Sequence, residues 1–315
     1  MATHERTIVA SVPMAGVNLG GGVTAINAET YDGDIPGPLI VLEKGDTLIV
    51  RLINDLPHPV GIHWHGIELQ NYSDGTEITQ NEVPGAPLQT LNDGTPAGGT
   101  FLYKFTVPNE GLFWYHTHHH HSTNAVFRGL YGMIIVTDPA VEGPLVGTVL
   151  PSAANTRQLV LSDITVCHMA GMNTAPTYTD PTTVFPVADR QEWMSPGATA
   201  QTGPTPLQLC ETEPLNEHGH TGGPVSGEGV IPNVFRMDPP MPLVPLTVEG
   251  QTVLVNGRIV RGRKGMPLDP QLLDAAGDAP IPAAPGQGFR FQILNAATTR
   301  YFRLILTDTD GNQIP

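Results

Sequence analysis

The sequence predicts an all-β protein made of two copies of one β-sandwich unit, the second unfinished. Three observations carry this. Short segments rich in β-branched residues alternate with turns, in a chain holding 35 Gly and 31 Pro, which suits many short strands better than helices. No stretch of the first 140 residues shows a long 3.6-residue period. A ten-residue strand pattern recurs late in the chain. Neither a helix nor a parallel sheet is expected in either unit.

The strands follow in order. Pro38-Leu39-Ile40-Val41-Leu42-Glu43 runs into the turn Lys44-Gly45-Asp46, and Thr47-Leu48-Ile49-Val50-Arg51-Leu52-Ile53-Asn54 runs out of it. Phe101-Leu102-Tyr103-Lys104-Phe105-Thr106-Val107 alternates with period two, so one face is buried. Gly132-Met133-Ile134-Ile135-Val136-Thr137 is a last apolar strand, stopped by Asp138-Pro139. Residues 1–140 therefore form one Greek-key sandwich or barrel. Residues 141–156, rich in Pro, Gly and Ala, read as a linker. Gln158-Leu159-Val160-Leu161-Ser162-Asp163-Ile164-Thr165-Val166 opens a second unit over 157–315. From Met169 to about Val244 the pattern is loop-like, and some short strands must hide there.

Gly45 to Asn54 aligns without gaps on Gly286-Gln287-Gly288-Phe289-Arg290-Phe291-Gln292-Ile293-Leu294-Asn295, an offset of 241 residues. The same offset puts Leu304 and Leu306 where His63 and His65 stand, so the second copy keeps the strand and lacks the histidines. It maps Pro315 onto Asp74. The second sandwich is thus expected to stop roughly 60 residues short, with its missing strands on another polypeptide or a continuation.

Charge narrows the partners. With 15 Lys and Arg against 30 Asp and Glu, the chain carries −15 at neutral pH. That argues against a nucleic acid or an anionic membrane and allows cationic substrates. No apolar run approaches the ~20 residues of a membrane-spanning helix. The start, Met1-Ala2-Thr3-His4-Glu5-Arg6, does not read as a signal peptide. Cys167 and Cys210 are the two cysteines. A disulfide between them would point to an oxidising compartment, although sequence does not place their Cα atoms within bridging distance.

The histidines carry the chemistry. Of 12, two groups stand out: His63-Trp64-His65-Gly66 and Phe113-Trp114-Tyr115-His116-Thr117-His118, the latter running on into His119, His120 and His121. In a strand, residues i and i+2 share a face. His63 and His65 therefore project together, as do His116 and His118, with Trp64 and Thr117 opposite. Two such strands side by side bring four imidazoles around one point. A set of imidazoles with no nearby thiolate or carboxylate fits copper better than non-haem iron. Asp74 lies nine residues after His65, and Asp74-Gly75 also reads as a plain turn.

These residues resemble the multicopper oxidases, a family of laccases, bilirubin oxidases and metal oxidases. Ile35-Pro36-Gly37-Pro38, Gly45-Asp46, Asn54 and His63-Trp64-His65-Gly66 are similar to its opening. Gly111-Leu112-Phe113-Trp114-Tyr115-His116-Thr117-His118 resembles its second copper motif, followed by Arg128-Gly129-Leu130-Tyr131-Gly132. Asn256-Gly257 and Phe289 to Leu306 look like its copper-free middle domain. The resemblance implies cupredoxin-like sandwiches, a copper-bearing first domain over 1–140 and a copper-free, truncated second one over 157–315.

It further implies His63 as a type 2 copper ligand and His65, His116 and His118 as type 3 ligands. Asp74 resembles an acidic proton donor beside the cluster. The family's cluster takes eight histidines. The other four, with the type 1 copper cysteine, lie in His-Pro-x-His-x-His and His-Cys-His motifs that this sequence lacks. The expected partners are thus a C-terminal cupredoxin segment, dioxygen and a small reducing substrate such as a phenol. The expected reaction is one-electron oxidation of that substrate coupled to four-electron reduction of dioxygen to water. The expected location is secreted or periplasmic. Competing readings are a non-catalytic copper-binding cupredoxin and a metal-ion oxidase. Cys167-His168-Met169 with Met172 looks like a blue-copper set, but adjacent strand residues face opposite ways, which favours the Cys167–Cys210 disulfide. His218 and His220 read as surface residues.

Overall fold

The computed structural model describes residues 1–20, 23–25, 28–76, 94–118, 122–164, 166–168, 207–209, 252–260, 285–297, 301, 302 and 304. The first region supplies β1 (Thr3–Ser11), β2 (Val17–Gly20), β3 (Val23–Ala25), β4 (Thr30–Tyr31), β5 (Ile40–Glu43), β6 (Thr47–Asn54), β7 (His63–His65), β8 (Thr100–Thr106), β9 (Gly111–His116) and β10 (Tyr131–Thr137). A short helix α1 (Ser122–Arg128) precedes β10, and a single turn α2 (Pro139–Glu142) follows it. The second region adds β11 (Thr156–Ile164), β12 (Val166–His168), β13 (Leu207–Leu209), β14 (Thr252–Val255), β15 (Arg258–Val260) and β16 (Arg290–Asn295).

Alternation builds the first sandwich. Leu48, Val50, Leu52 and Asn54 of β6 are buried, while the residues between them are more accessible. The sheet β4-β1-β6-β8 faces the sheet β5-β10-β9-β7. Between them pack Ile8, Tyr31, Leu42, Trp64, Tyr103, Tyr115 and Ile134. Burial of each aliphatic or aromatic chain here contributes roughly 2 kcal/mol. Strand β10 is buried on both faces: Ile134 and Val136 join this core, and Met133 and Ile135 join a second one.

The all-β class holds, with corrections. β1 runs parallel to β6, and β5 parallel to β10. Each pair is separated by a long crossover, which permits parallel pairing. Helix α1 was not expected; at seven residues it is too short to show a 3.6-residue period.

The second region repeats the first in detail. β16 pairs parallel with β11 as β6 does with β1. The Asn54 side chain accepts the Leu56 N–H at 2.9 Å, and Asn295 accepts the Ala297 N–H at 3.0 Å. The turns after β4 and β14 match as well. Asp32 and Asn256 both have positive φ (59° and 49°), each followed by a positive-φ glycine, Gly33 and Gly257. Asp32 Oδ1 accepts the Val9 N–H at 2.7 Å, as Asn256 Oδ1 accepts the Val160 N–H at 2.9 Å.

The two regions share one core. Ile35, Val126, Phe127 and Met133 pack with Val160, Ile164, Leu254 and Leu294. The Tyr131 hydroxyl donates to Ser162 Oγ at 2.6 Å. Arg290 holds Glu142 through two bonds of 2.9 and 3.1 Å. β12 and β13 complete a sheet with β3 and β2, so strands cross between the expected domains. The stretch read as a linker carries the end of α2 and two short 3-10 turns, Gly143–Leu145 and Ala153–Asn155.

Candidate metal centre

β7 pairs antiparallel with β9, which sets His63 opposite His116, Trp64 opposite Tyr115 and His65 opposite Trp114. Alternation sends Trp64 and Tyr115 into the sandwich core, both fully buried. His63, His65, Trp114 and His116 share the other face. β9 ends at His116, and the Thr117 N–H turns to the Leu130 carbonyl at 3.3 Å. His118 therefore arrives from beyond the strand, where the sequence pattern had placed it within one. Its ring still converges.

The His63 ring centroid lies 5.4 Å from His65, 5.4 Å from His116 and 5.1 Å from His118. Ligand nitrogens of His63, His65 and His116 all lie within 4.8 Å of one another. His65 Nδ1 and His116 Nε2 are 3.2 Å apart. Two nitrogens at that separation can share one first-row ion with bonds of ~2.0 Å.

Hydrogen bonds orient the rings. His63 Nδ1–H donates to the Asp74 carbonyl at 2.9 Å, and His116 Nδ1–H donates to the Thr117 carbonyl at 2.7 Å. Because each acceptor is a carbonyl, Nδ1 carries the proton and Nε2 keeps its lone pair for a metal. Trp114 stacks on His116, with centroids 4.0 Å apart and planes 27° apart, and lies 5.2 Å from His65. It thereby restricts both ring planes.

Burial also prepares the donors. It pushes the His116 pKa down to about 3; the Thr117 carbonyl opposes this, and the His63, His65 and His118 rings add to it. His65 is lowered by burial and by His63 and His118. Both rings are thus neutral at physiological pH, the form that binds metal. His116 is buried, whereas His65 and His118 are exposed, so the cluster opens to the surface on their side.

Asp74 touches the site. It caps the 3-10 turn Asn71–Ser73, with its N–H on the Asn71 carbonyl at 3.0 Å. Besides its carbonyl, its carboxylate Oδ1 lies 3.3 Å from His63 Nδ1. Ser73 pins the turn to β8, accepting the Lys104 N–H at 3.0 Å and donating to the Lys104 carbonyl at 3.1 Å. Gly75, at φ +73°, lies so close to β7 that a Cβ would fall 1.7 Å from the Ile62 carbonyl oxygen.

Four converging imidazoles, three with nitrogens within mutual reach of an ion, fit a first-row metal. Imidazole suits copper, zinc, iron and nickel. The sequence reading missed the Thr117 carbonyl, a backbone group that leaves no mark in sequence. It also missed Gly75 and Trp114, although the positions of a glycine after Asp74 and a Trp two before His116 were visible. Cys167 lies in β12 opposite Gln208. His119, His120, His121, Met169, Met172, Cys210, His218 and His220 lie outside the described residues.

The first sandwich is similar in sequence to known proteins. Residues 17–141 match the family model described as multicopper oxidase. Over 140 residues the chain is 38% identical to the multicopper oxidase MmcO of Mycobacterium tuberculosis, covering 44% of this chain and 24% of that protein. It is 37% identical over 120 residues to a copper resistance protein A homolog of Pseudomonas syringae pv. tomato, covering 38% and 18%. It is 39% identical over 106 residues to laccase-2 of Cryptococcus neoformans, covering 33% and 16%. The chain thus spans about a quarter or less of each of these relatives.

Proposed function

Because residues 17–141 match the multicopper oxidase family model, we propose that this chain is the N-terminal part of a copper-dependent oxidase. It supplies His63 to a type 2 copper and His65, His116 and His118 to a type 3 pair. The observation that carries this reading is the convergence of the four rings, with Nε2 of His63 and His116 left unprotonated by their Nδ1–H bonds. When bound, the copper cluster supplies the four-electron reduction of dioxygen to water, using single electrons from a phenolic or related reductant.

The protein's own groups prepare that chemistry. His65 and His116 are held neutral, so metal binding there displaces no proton from an imidazolium. The Asp74 carboxylate, 3.3 Å from His63 and partly open to solvent, can take protons from water and pass them toward the cluster. A C-terminal cupredoxin segment supplies the remaining ligands and the type 1 copper. One feature of the second unit supports such a partner. Phe291 and Ile293 of β16 are 44% and 37% exposed, while Val50 and Leu52, their equivalents at the 241-residue offset, are fully buried. Among the described residues, no sheet covers that apolar face as one does in the first unit. The setting is secreted or periplasmic, and Cys167 and Cys210 form a disulfide; thiol titration in denaturant should find no free sulfhydryl.

The test is dioxygen uptake with a phenolic donor. The assembled oxidase should turn over, and its His116→Ala variant should not. The 315-residue chain, copper-loaded and alone, should show no sustained turnover. Turnover by that chain at the level of the assembly would refute the need for a second segment.

A further inference from the structure

Away from the histidine pairs, three charged side chains meet in the interior. Glu29 lies just before β4 and is 7% exposed; Arg128, the last residue of α1, is 5% exposed. His58 lies in the connection from β6 to β7. Its Nε2 is 3.1 Å from Glu29 Oε2, and Arg128 Nε is 3.9 Å from Glu29 Oε1. The backbones meet as well: the Glu29 N–H donates to the Arg128 carbonyl at 3.2 Å. Gly129 permits this approach, because a Cβ there would fall 2.5 Å from the Ile35 side chain and 2.8 Å from the Glu29 carbonyl oxygen.

The contacts of His58 favour its charged form. Nδ1 lies 2.9 Å from the Pro59 carbonyl, which can only accept. Nε2 faces a carboxylate oxygen, which also only accepts when ionised. Both ring nitrogens must therefore carry protons for both contacts to be favourable. A neutral ring would turn a lone pair on the carbonyl or on the carboxylate.

The cluster sits where the two histidine pairs diverge in sequence. His58 is five residues before His63, with its own carbonyl accepting the Asn54 side-chain amide at 2.9 Å. Arg128 ends the helix that follows His118. We propose that Glu29, His58 and Arg128 form a proton-dependent latch that fixes the lead-in to the first histidine pair against the helix behind the second. With His58 protonated, ion-pair contacts of 3.1 and 3.9 Å draw the two segments to one carboxylate. When His58 loses its proton, one contact becomes repulsive and the segments loosen together. Among the described residues, the ionisable groups facing His58 are Glu29 and Arg128. Burial and the Arg128 charge oppose the imidazolium, but the Glu29 carboxylate outweighs them and raises the His58 pKa. Because the folded pKa is raised, the latched state is fully present below the ordinary imidazole value, and release follows as pH rises through the folded one.

The latch belongs to the scaffold, so the whole metal-free chain tests it independently of the copper assignment. NMR titration of His58 should give a pKa above the ordinary value in the wild type and a lower one in Glu29→Gln. Hydrogen-exchange protection, corrected for intrinsic rates, should fall by about fivefold in residues 54–62 and 124–130 together as His58 deprotonates. In His58→Gln, protection of both segments should no longer change with pH. If Glu29→Gln does not fold, the wild-type titration and His58→Gln decide. A wild-type His58 pKa at or below the ordinary value would overturn the latch. So would loosening of one segment without the other, or pH dependence that survives in His58→Gln.

Discussion

Replacing Gly75 by Ala tests how the chain holds His63. The substituted Cβ would lie 1.7 Å from the Ile62 carbonyl oxygen, where ordinary contact begins at 3.4 Å. The turn over residues 71–75 must therefore retreat by about 1.7 Å. The 2.9 Å bond from His63 Nδ1–H to the Asp74 carbonyl would then open beyond hydrogen-bond range. The left-handed backbone at φ +73° adds a penalty of about 1–2 kcal/mol for a residue with a Cβ. The lost bond adds about 1 kcal/mol. The sum, about 2–3 kcal/mol, lowers Tm by about 5–10 °C for a unit of this size. Calorimetry of the metal-free chain reads the stability. NMR of the His63 ring reads its tautomer, which should shift from a single Nδ1–H form to a mixture. An unchanged melting temperature together with an unchanged His63 tautomer would refute the reasoning.

Two further predictions concern the scaffold. Asp46 is held by the backbone N–H of Ala2 above all, against the cost of its burial, with help from the Glu43 N–H and His4; its pKa is lowered from 3.8 to about 2. A depressed carboxyl stabilises the fold above the ordinary pKa and loses that contribution as pH falls through the folded one, so Asp46→Asn should cost about 2 kcal/mol at neutral pH and flatten stability between about pH 4 and 2 in urea melts. Tyr131→Phe removes the 2.6 Å bond to Ser162 and leaves that buried hydroxyl without it; unfolding should become easier by about 1–2 kcal/mol, and no change would mean the two β units are not coupled through this contact.

The parts of the molecule visible in its sequence share one property: they depend on local periodicity. Period-two alternation placed His63 and His65 on one face and Trp64 in the core, as the structure has it. The gap-free repeat of Gly45 to Asn54 at Gly286 to Asn295 extends to matching Asn side-chain bonds. The equivalent turns at Asp32-Gly33 and Asn256-Gly257 escaped notice because they stand at a different offset, 224 residues. Strand β1 was missed because His4, Glu5 and Arg6 give its outer half a polar look. Its parallel pairing with β6, and the joining of β12 and β13 to β2 and β3, link residues far apart in sequence. No local pattern encodes such pairings. At the site, the imidazoles were legible as side chains, but their orienting partners, the Asp74 and Thr117 carbonyls, are backbone atoms that any residue could supply.

Copper content in ligand variants of the proposed assembly tests the central claim most directly. His65 and His116 face each other across 3.2 Å, close enough for both nitrogens to reach one ion, so on the proposed reading either substitution removes a donor. His65→Ala and His116→Ala should each retain less copper per molecule than the wild type, measured by elemental analysis after exhaustive dialysis on protein shown to be folded by circular dichroism. Full wild-type copper stoichiometry in both variants would contradict the assignment of these histidines as the metal centre.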